Sequence, residues 1–499
     1  MERTYAPRHL GALIGILMAA AGLAQAGGPA PAPGSAPLIV RLADAAPDAA
    51  ARFSAITGAL GIEDVAFERR LDDSLLVARF TKPITAERRQ QLVESLNAHP
   101  AVLRTENDGR VYPAYTPNDP AFTGGQQWSL SDYYGIRASA AWDRQRGSAD
   151  LVVALLDTGI LDHEDLNPAR RLAGYDFLDR DSDASDPGDY VNAGDCGGGQ
   201  PLTSSPSSWH GLHVAGVMTA TTDNLLGIAG INHASPLLPV RVLGSCGGWV
   251  SDVIPAIRWA AGLPVSGVPA NPHPARVINL SLVSELPCIA ELQAAIDAAV
   301  AAGAVVVAAA GNGDGGDVAN TMPGGCANVI TVAATDRDGR LAGYSNLGSR
   351  VLLGAPGSDI YSTVNGGLTS PNGIDSYAAY TGTSVAAAQV SAAVSLLLSA
   401  QPTLTLGNVR QILSQTARPY SGGCPSALPC GAGILDLDAA LRRATEITPG
   451  DPVPDSGGGG GGGGGGCSVA AGPGPADAAW GVVCGFLLWA RRRAQFRRS

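Results

Sequence analysis

Lysine is all but missing from this 499-residue chain: Lys82 is its single copy, and every other formally basic side chain is arginine. Basic residues number 33 against 44 acidic ones, a formal net charge of −11. The shortage deepens between residues 116 and 450, where 29 Asp and Glu face 16 Arg, a net of −13. A body so short of positive charge has no basic face for a polyanion, which excludes nucleic acid as a partner. No CxxC pair occurs, and the seven His are not clustered with the eight Cys, so zinc ligation by cysteine is disfavoured. HExxH spacing is absent as well, which argues against a zinc peptidase. Nor does any apolar run reach the roughly 20 residues that span a bilayer untilted.

What is present points to an exported, loop-rich globule. Hydrophobic residues make up 45% of the chain, enough for a sizeable core, while 65 Gly and 35 Pro favour loops and connectors. The length predicts about three segments. Residues 1–26 read as an export signal, with Arg3 and Arg8 ahead of the apolar run Gly11–Ala24 and a small-residue cleavage point at Ala24-Gln25-Ala26. In an exported chain the cysteines read as disulfide partners. Six lie in the body, at Cys196, Cys246, Cys288, Cys326, Cys424 and Cys430, and they allow 15 pairings.

A Gly/Pro/Ala linker over 27–36 leads into a small segment, 37–115. Strands are predicted at Pro37–Leu42, Ser74–Phe80 and Ala101–Glu106, with helices at Asp48–Leu60 and Thr85–Asn97, an α+β module. From Trp128 to Thr445, apolar strands alternate with helices, the pattern of an α/β fold with an open parallel sheet covered on both faces. The strands are predicted at Leu151–Leu156, Leu237–Val242, Arg276–Leu282, Ala304–Ala310 and Val329–Ala334. Helices are predicted at His210–Ala220, Ser251–Ala261, Leu292–Ala302 and Ser384–Ala400. Residues 447–466 form a Gly-rich linker ending in ten consecutive glycines, a tether without core-forming capacity. A tail over 467–499 holds Cys467, Cys484, thirteen apolar residues from Ala478 to Ala490, and five Arg among the last nine residues.

Three motifs carry chemistry. Leu155-Leu-Asp-Thr-Gly-Ile160 puts Asp157 at the carboxyl end of a buried strand, the edge where catalytic groups collect in open α/β sheets. Trp209-His-Gly-Leu-His-Val-Ala-Gly216 puts His210 at a helix start, with His213 expected to pack structurally. Tyr380-Thr-Gly-Thr-Ser-Val-Ala-Ala-Ala388 puts Ser384 at the start of an Ala-rich helix, whose free N–H groups favour an anion beside it. Each alone is ambiguous, since a lone Ser there is usually an N-cap. Together, in the order Asp, His, Ser, they resemble the subtilisin family of serine peptidases, from Gln127-Trp-Ser-Leu to Gly431-Ala-Gly-Ile-Leu-Asp436.

The resemblance implies an endopeptidase that needs no cofactor for its chemistry. Ser384 would be its nucleophile, His210 its general base and acid, and Asp157 the group orienting the imidazole. Asn312, in Ala309-Ala-Gly-Asn312, matches the family's side-chain donor to the oxyanion, and Gly311 precedes it. Asn279-Leu-Ser-Leu282 resembles an edge strand that pairs with extended substrate, placing Ser281 and Leu282 in substrate binding. Met322-Pro-Gly-Gly would shape the pocket for the residue before the cut. Three departures stand out: Leu212 for the usual Thr, Val283-Ser284 for Gly-Gly, and Ala388-Gln389 for Pro-His. None removes a nucleophile or a proton-transfer group.

By the same resemblance, 37–115 is an inhibitory propeptide cut away near Tyr112–Asn118, and 116–446 is the catalytic domain. The partners implied are protein or peptide substrates and the chain's own propeptide, which would serve as inhibitor and folding aid. The tail resembles a bacterial sorting signal, inserted transiently in a membrane with its basic end inside. The enzyme would then be secreted or held at the outer surface of the envelope, as a monomer. The family's bridges imply Cys196–Cys246, Cys288–Cys326 and Cys424–Cys430. Asp165, Asn224 and the acid-rich stretch 176–189 resemble places where relatives hold structural calcium; a solvated acidic loop is the alternative reading of the same residues.

Overall fold

The computed structural model describes residues 36–108, 115–197, 200–425 and 427–447. The export signal, the linker to residue 35, the first part of the expected cleavage region (to residue 114) and the tail from 448 lie outside the described residues.

Residues 36–108 build the expected α+β unit. Strands β1 (Leu38–Leu42), β2 (Val65–Arg70), β3 (Leu75–Phe80) and β4 (Val102–Asn107) form a four-stranded antiparallel sheet in the order β2-β3-β1-β4. Helices α1 (Ala49–Ala59) and α2 (Ala86–Asn97) start at Asp48 and Thr85, whose side chains accept from the main-chain N–H groups of Ala51 and Arg88. Leu38, Val40, Phe53, Leu76, Leu92 and Leu96 fill the core between helices and sheet. Strand β2 escapes sequence reading because, as an edge strand, it ends in Glu68-Arg69-Arg70 facing solvent.

The larger unit is a seven-stranded sheet. Its strands are β5 (Val153–Asp157), β6 (Tyr175–Asp176), β7 (Leu237–Arg241), β8 (Val277–Leu280), β9 (Val305–Ala309), β10 (Val329–Thr335) and β11 (Val351–Pro356). Their order is β11-β10-β9-β8-β5-β7-β6, and every pairing is parallel. All five residues of β5 are buried, as a strand covered on both faces requires. Two apolar layers provide that cover. One contains α3 (His210–Thr219), α6 (Thr383–Ala400), α7 (Leu406–Thr416) and α8 (Leu437–Ala444); the other contains α4 (Val250–Ala260) and α5 (Ala290–Ala301).

Helix α6 is apolar and long enough to cross a membrane by composition, yet it is 83% buried inside the protein. Its small residues let it lie across β8–β11. Two of the polar groups it carries inward find partners, Gln389 Nε2 donating to the Pro356 carbonyl at 2.6 Å and Ser391 Oγ to Asn279 Oδ1 at 2.8 Å, while Gln389 Oε1 has none. Beside α3 lies an antiparallel hairpin, β12 (Ile360–Asn365) and β13 (Asp375–Tyr380).

One expectation needs correcting. Asn279 and Leu280 sit in β8, flanked by β5 and β9, so the motif Asn279–Leu282 is not an edge strand. Only from Ser281 does the chain leave the sheet; its single further pairing is an antiparallel bridge from Ser284 to Met322. The structure joins Cys196 to Cys246, Cys288 to Cys326 and Cys424 to Cys430, with Cα separations of 5.4, 5.1 and 5.9 Å, all within ordinary disulfide reach.

Candidate active site

Three chain segments converge at the carboxyl edge of the sheet. Asp157 is the last residue of β5 and is fully buried. Its Oδ1 accepts from the Thr158 N–H at 2.8 Å and lies 2.7 Å from Nδ1 of His210, the first residue of α3. The His210 side chain keeps 23% exposure. It is thus anchored on one ring nitrogen and reachable from solvent.

Ser384 stands half-buried in the first turn of α6, which packs against α3. Its carbonyl accepts from Ser281 Oγ at 2.7 Å, and Ser281 Oγ in turn accepts from Asn279 Nδ2 at 2.9 Å. Asn312 follows β9, and its Oδ1 accepts both the N–H and the hydroxyl of Thr383, each at 2.9 Å. Holding Oδ1 in this way turns the amide Nδ2 outward. A Cβ placed on Gly382 would lie 3.1 Å from Ser384 Oγ and 3.3 Å from Asn312 Nδ2. The hydroxyl and the amide donor therefore flank one small space, the relation needed between a nucleophile and an oxyanion donor. Gly311 N–H is held by Thr383 Oγ1 at 3.0 Å, so Gly311 also borders this space.

Further along, Leu282, Val283, Ser284, Met322 and Pro323 line a cavity of about 280 Å³ with Val250. The segment 282–284 and the Met322 loop thus meet around one cavity.

The electrostatics favour a proton acceptor at His210. Burial opposes charging the ring, but the carboxylate of Asp157, with Asp189 and Asp186 behind it, outweighs burial and holds the His210 pKa above its ordinary 6.5. His213 behaves oppositely. It is fully buried and stacked on Tyr380 at 4.1 Å, and burial together with nearby His210 pushes its pKa down to about 3, which keeps it neutral.

Sequence reasoning missed Asp186. Burial pushes this carboxyl up to about 6, partly offset by the Thr158 hydroxyl, which donates at 2.6 Å, and the Gly188 N–H at 2.9 Å. Thr158 Oγ1 also accepts the N–H of Gly211, next to His210. If His210 serves as a base it must be unprotonated, so its raised pKa is expected to shift the acid limb of kcat/KM to higher pH. Asp186→Asn removes one of the charges that raise it, so that limb is expected to move to lower pH, measurable in a kcat/KM profile from pH 5 to 9.

Other carboxylates of the acidic stretch have partners within the protein. Asp176 and Asp179 both pair with Arg241, and Asp189 accepts from the N–H and hydroxyl of Ser208 at 2.5 and 2.6 Å. Asp165 and Asn224 do come together, with Asn224 Nδ2 donating to Asp165 Oδ1 at 2.8 Å.

Residues 148–446, more than half of the chain, match the model of the subtilase family, Peptidase_S8. The chain belongs to the subtilase family. Among curated relatives of this subtilase, it is 44% identical to the "Extracellular protease" of Xanthomonas campestris pv. campestris over 77% of its own length and 66% of the relative's. It is 39% identical to the "Extracellular basic protease" of Dichelobacter nodosus over 72% of its own length and 61% of the relative's. The chain thus spans slightly under two thirds of these two relatives. Among solved structures, a protease of Pseudoalteromonas arctica PAMC 21717 is 43% identical, with a TM-score of 0.63 over 66% of this chain and 100% of that one.

Proposed function

We propose that this subtilase is a secreted serine endopeptidase made as a self-processed zymogen, with Asp157, His210 and Ser384 as its triad. The observation that carries the reading is the Asp157–His210 bond at the start of α3, beside a Ser384–Asn312 space at the start of α6. His210 takes the Ser384 proton as the hydroxyl attacks the scissile carbonyl, and Asp157 steadies the imidazolium that forms. Asn312 Nδ2 donates to the oxyanion; as that intermediate collapses the C–N bond breaks and His210 gives its proton to the leaving amine, and the neutral imidazole then deprotonates the water that hydrolyses the acyl-enzyme. Ser281 and Leu282, free of the sheet, pair with extended substrate while Gly311 borders the reacting carbonyl. That the two curated relatives are named extracellular proteases supports export.

The unit 37–115 is the inhibitory propeptide in this reading, and 116–446 the catalytic domain. Tyr115 supports a cut just before it. Its N–H donates to Asp143 Oδ1 at 3.0 Å and its hydroxyl to Asp223 Oδ2 at 2.6 Å, so the chain is already docked on the catalytic body from that residue. Exported full-length protein should hydrolyse casein and carry a new N-terminus between residues 112 and 118. A folded product without hydrolysis, or a mature N-terminus before residue 100, contradicts the reading.

Structural calcium fits beside Asp165. Asp119 and Asp165 are both fully buried, and Asp119 Oδ1 has no hydrogen-bond partner. Burial first, then the charge of Asp119, pushes Asp165 up to about 6, although hydrogen bonds from Ile228 and Asn224 oppose the rise. Among the described residues no trio of His, Cys, Asp and Glu could hold a metal ion. The ligands would instead be these two carboxylates with main-chain carbonyls, a hard-oxygen set; Asn224 turns its Nδ2 to Asp165 while its Oδ1 accepts from the Leu226 N–H, so its amide oxygen is not among them. The ion would neutralise two buried charges and supply stability, about 2.7 kcal/mol at a hundredfold excess over Kd. Chelation is accordingly expected to lower the thermal midpoint of the parent by several degrees and to leave Asp165→Ala unchanged. Equal midpoints for the parent with and without chelator would remove calcium from the account.

A further inference from the structure

We infer that Trp209 is a positioning residue for His210, pinning the start of α3 to the β12–β13 hairpin that leads directly into Ser384. The inference rests on the triad reading above. Trp209 immediately precedes His210 and has φ 49° and ψ 34°, the left-handed region. A bulky side chain holds that conformation only where its surroundings over-determine it, and such residues gather at functional sites.

The surroundings here do over-determine it. The indole is 2% exposed and packs with Leu212 and Val364, flanked by Tyr380. Its Nε1–H donates to the Gly367 carbonyl in the hairpin tip at 2.8 Å. The residues on either side are tied to the same hairpin. Ser207 N–H donates to the Leu368 carbonyl at 2.7 Å, Ser207 Oγ to the Thr369 carbonyl at 3.0 Å, and the Tyr380 hydroxyl to the Ser208 carbonyl. One turn on, Ser362 and Thr363 of β12 donate their hydroxyls to the carbonyls of His213 and Leu212 at 2.7 and 2.8 Å.

The tip itself is stiffened by Asn365, whose Oδ1 accepts from Gly367 N–H at 2.9 Å and Asn372 N–H at 3.2 Å. At its other end the hairpin closes at Tyr380, four residues before Ser384. One braced element therefore carries both the anchor of the base and the lead-in to the nucleophile. Trp209 sets where the His210 ring stands relative to Ser384. The residues assigned to substrate, Ser281, Leu282 and Gly311, belong to other segments. Loosening Trp209 should therefore slow chemistry while leaving substrate binding as it is.

The test uses the full-length chain with active sites counted by a fluorophosphonate, so that turnover is expressed per competent molecule. Trp209→Phe keeps a buried ring and loses the N–H. Asn365→Ala frees the tip without touching Trp209 or the chemistry. Each is expected to lower kcat per titrated site roughly 10- to 100-fold, the scale of a misplaced catalytic group, with KM unchanged. The double variant should lose less than the product of the two, because both act on one coupling. Parent-like kcat per titrated site in Trp209→Phe, or losses appearing in KM, would overturn the inference while the triad stands. Failure of the parent itself to take the label would overturn the triad reading and this inference with it.

Discussion

Replacing Ser384 with Ala is expected to reduce turnover per folded molecule by about a millionfold, the scale found on subtilisins themselves when the nucleophile is removed. So large a loss is expected because, in the proposed mechanism, Ser384 Oγ is the atom that forms a bond to substrate. The Asp157–His210 pair would be left with no hydroxyl to deprotonate. The fold should not suffer. Ser384 tethers β8 through its carbonyl, which accepts from Ser281, and that bond survives truncation of the side chain. The same variant should accumulate uncut precursor if maturation is self-catalysed. Casein hydrolysis and the mass of the exported product, measured beside the parent, check both points.

Asn312→Ala is expected to lower kcat about 100- to 1,000-fold with little change in KM, again a magnitude established on a subtilisin. The argument is geometric. Asn312 Oδ1 is occupied by Thr383, which leaves Nδ2 as the donor facing the space beside Ser384. A donor there meets charge only when the carbonyl oxygen becomes an oxyanion, so it stabilises the transition state more than the bound substrate. Truncation also releases the Thr383 N–H and hydroxyl at the start of α6, so the thermal midpoint should be compared. Asn312→Asp discriminates further: it keeps the acceptor at Thr383 but sets a carboxylate against the oxyanion, and it should be at least as damaging to kcat as Ala.

Much of this site is legible in the amino-acid sequence, for physical reasons. Buried parallel strands announce themselves as continuous apolar runs, so β5, β7, β8, β9 and β10 can be placed, and with them Asp157 at a strand end. The motifs Trp209–Gly216 and Tyr380–Ala388, each opening a helix, locate His210 and Ser384. Elements that do not bury a whole face are harder. β2 is a charged edge strand, and β13, Asp375-Ser-Tyr-Ala-Ala-Tyr380, has no alternation because most of it is only half-buried. Without that hairpin, nothing in the sequence singles out Trp209 beyond its place next to His210.

Long-range polar partners are equally hidden. Nothing in the sequence shows that Arg241, more than fifty residues on, pairs with Asp176 and Asp179 of the acidic stretch. In the sequence Asp119 is only part of the passage into the catalytic domain. Its burial beside Asp165 emerges when the loop around Asp223 and Asn224 folds over it, with Asp223 N–H donating to Asp119 Oδ2 at 3.0 Å. The motif Asn279–Leu282 misleads in a different way: its apolar residues fit a strand, but they cannot say that β8 lies mid-sheet.

The most direct test of the central claim is to treat the exported protein with a fluorophosphonate and map the adduct by mass spectrometry. The account predicts a single adduct, on Ser384, that is lost in His210→Ala although that variant still folds. An adduct on another residue, or none on folded protein that still hydrolyses casein, would contradict it.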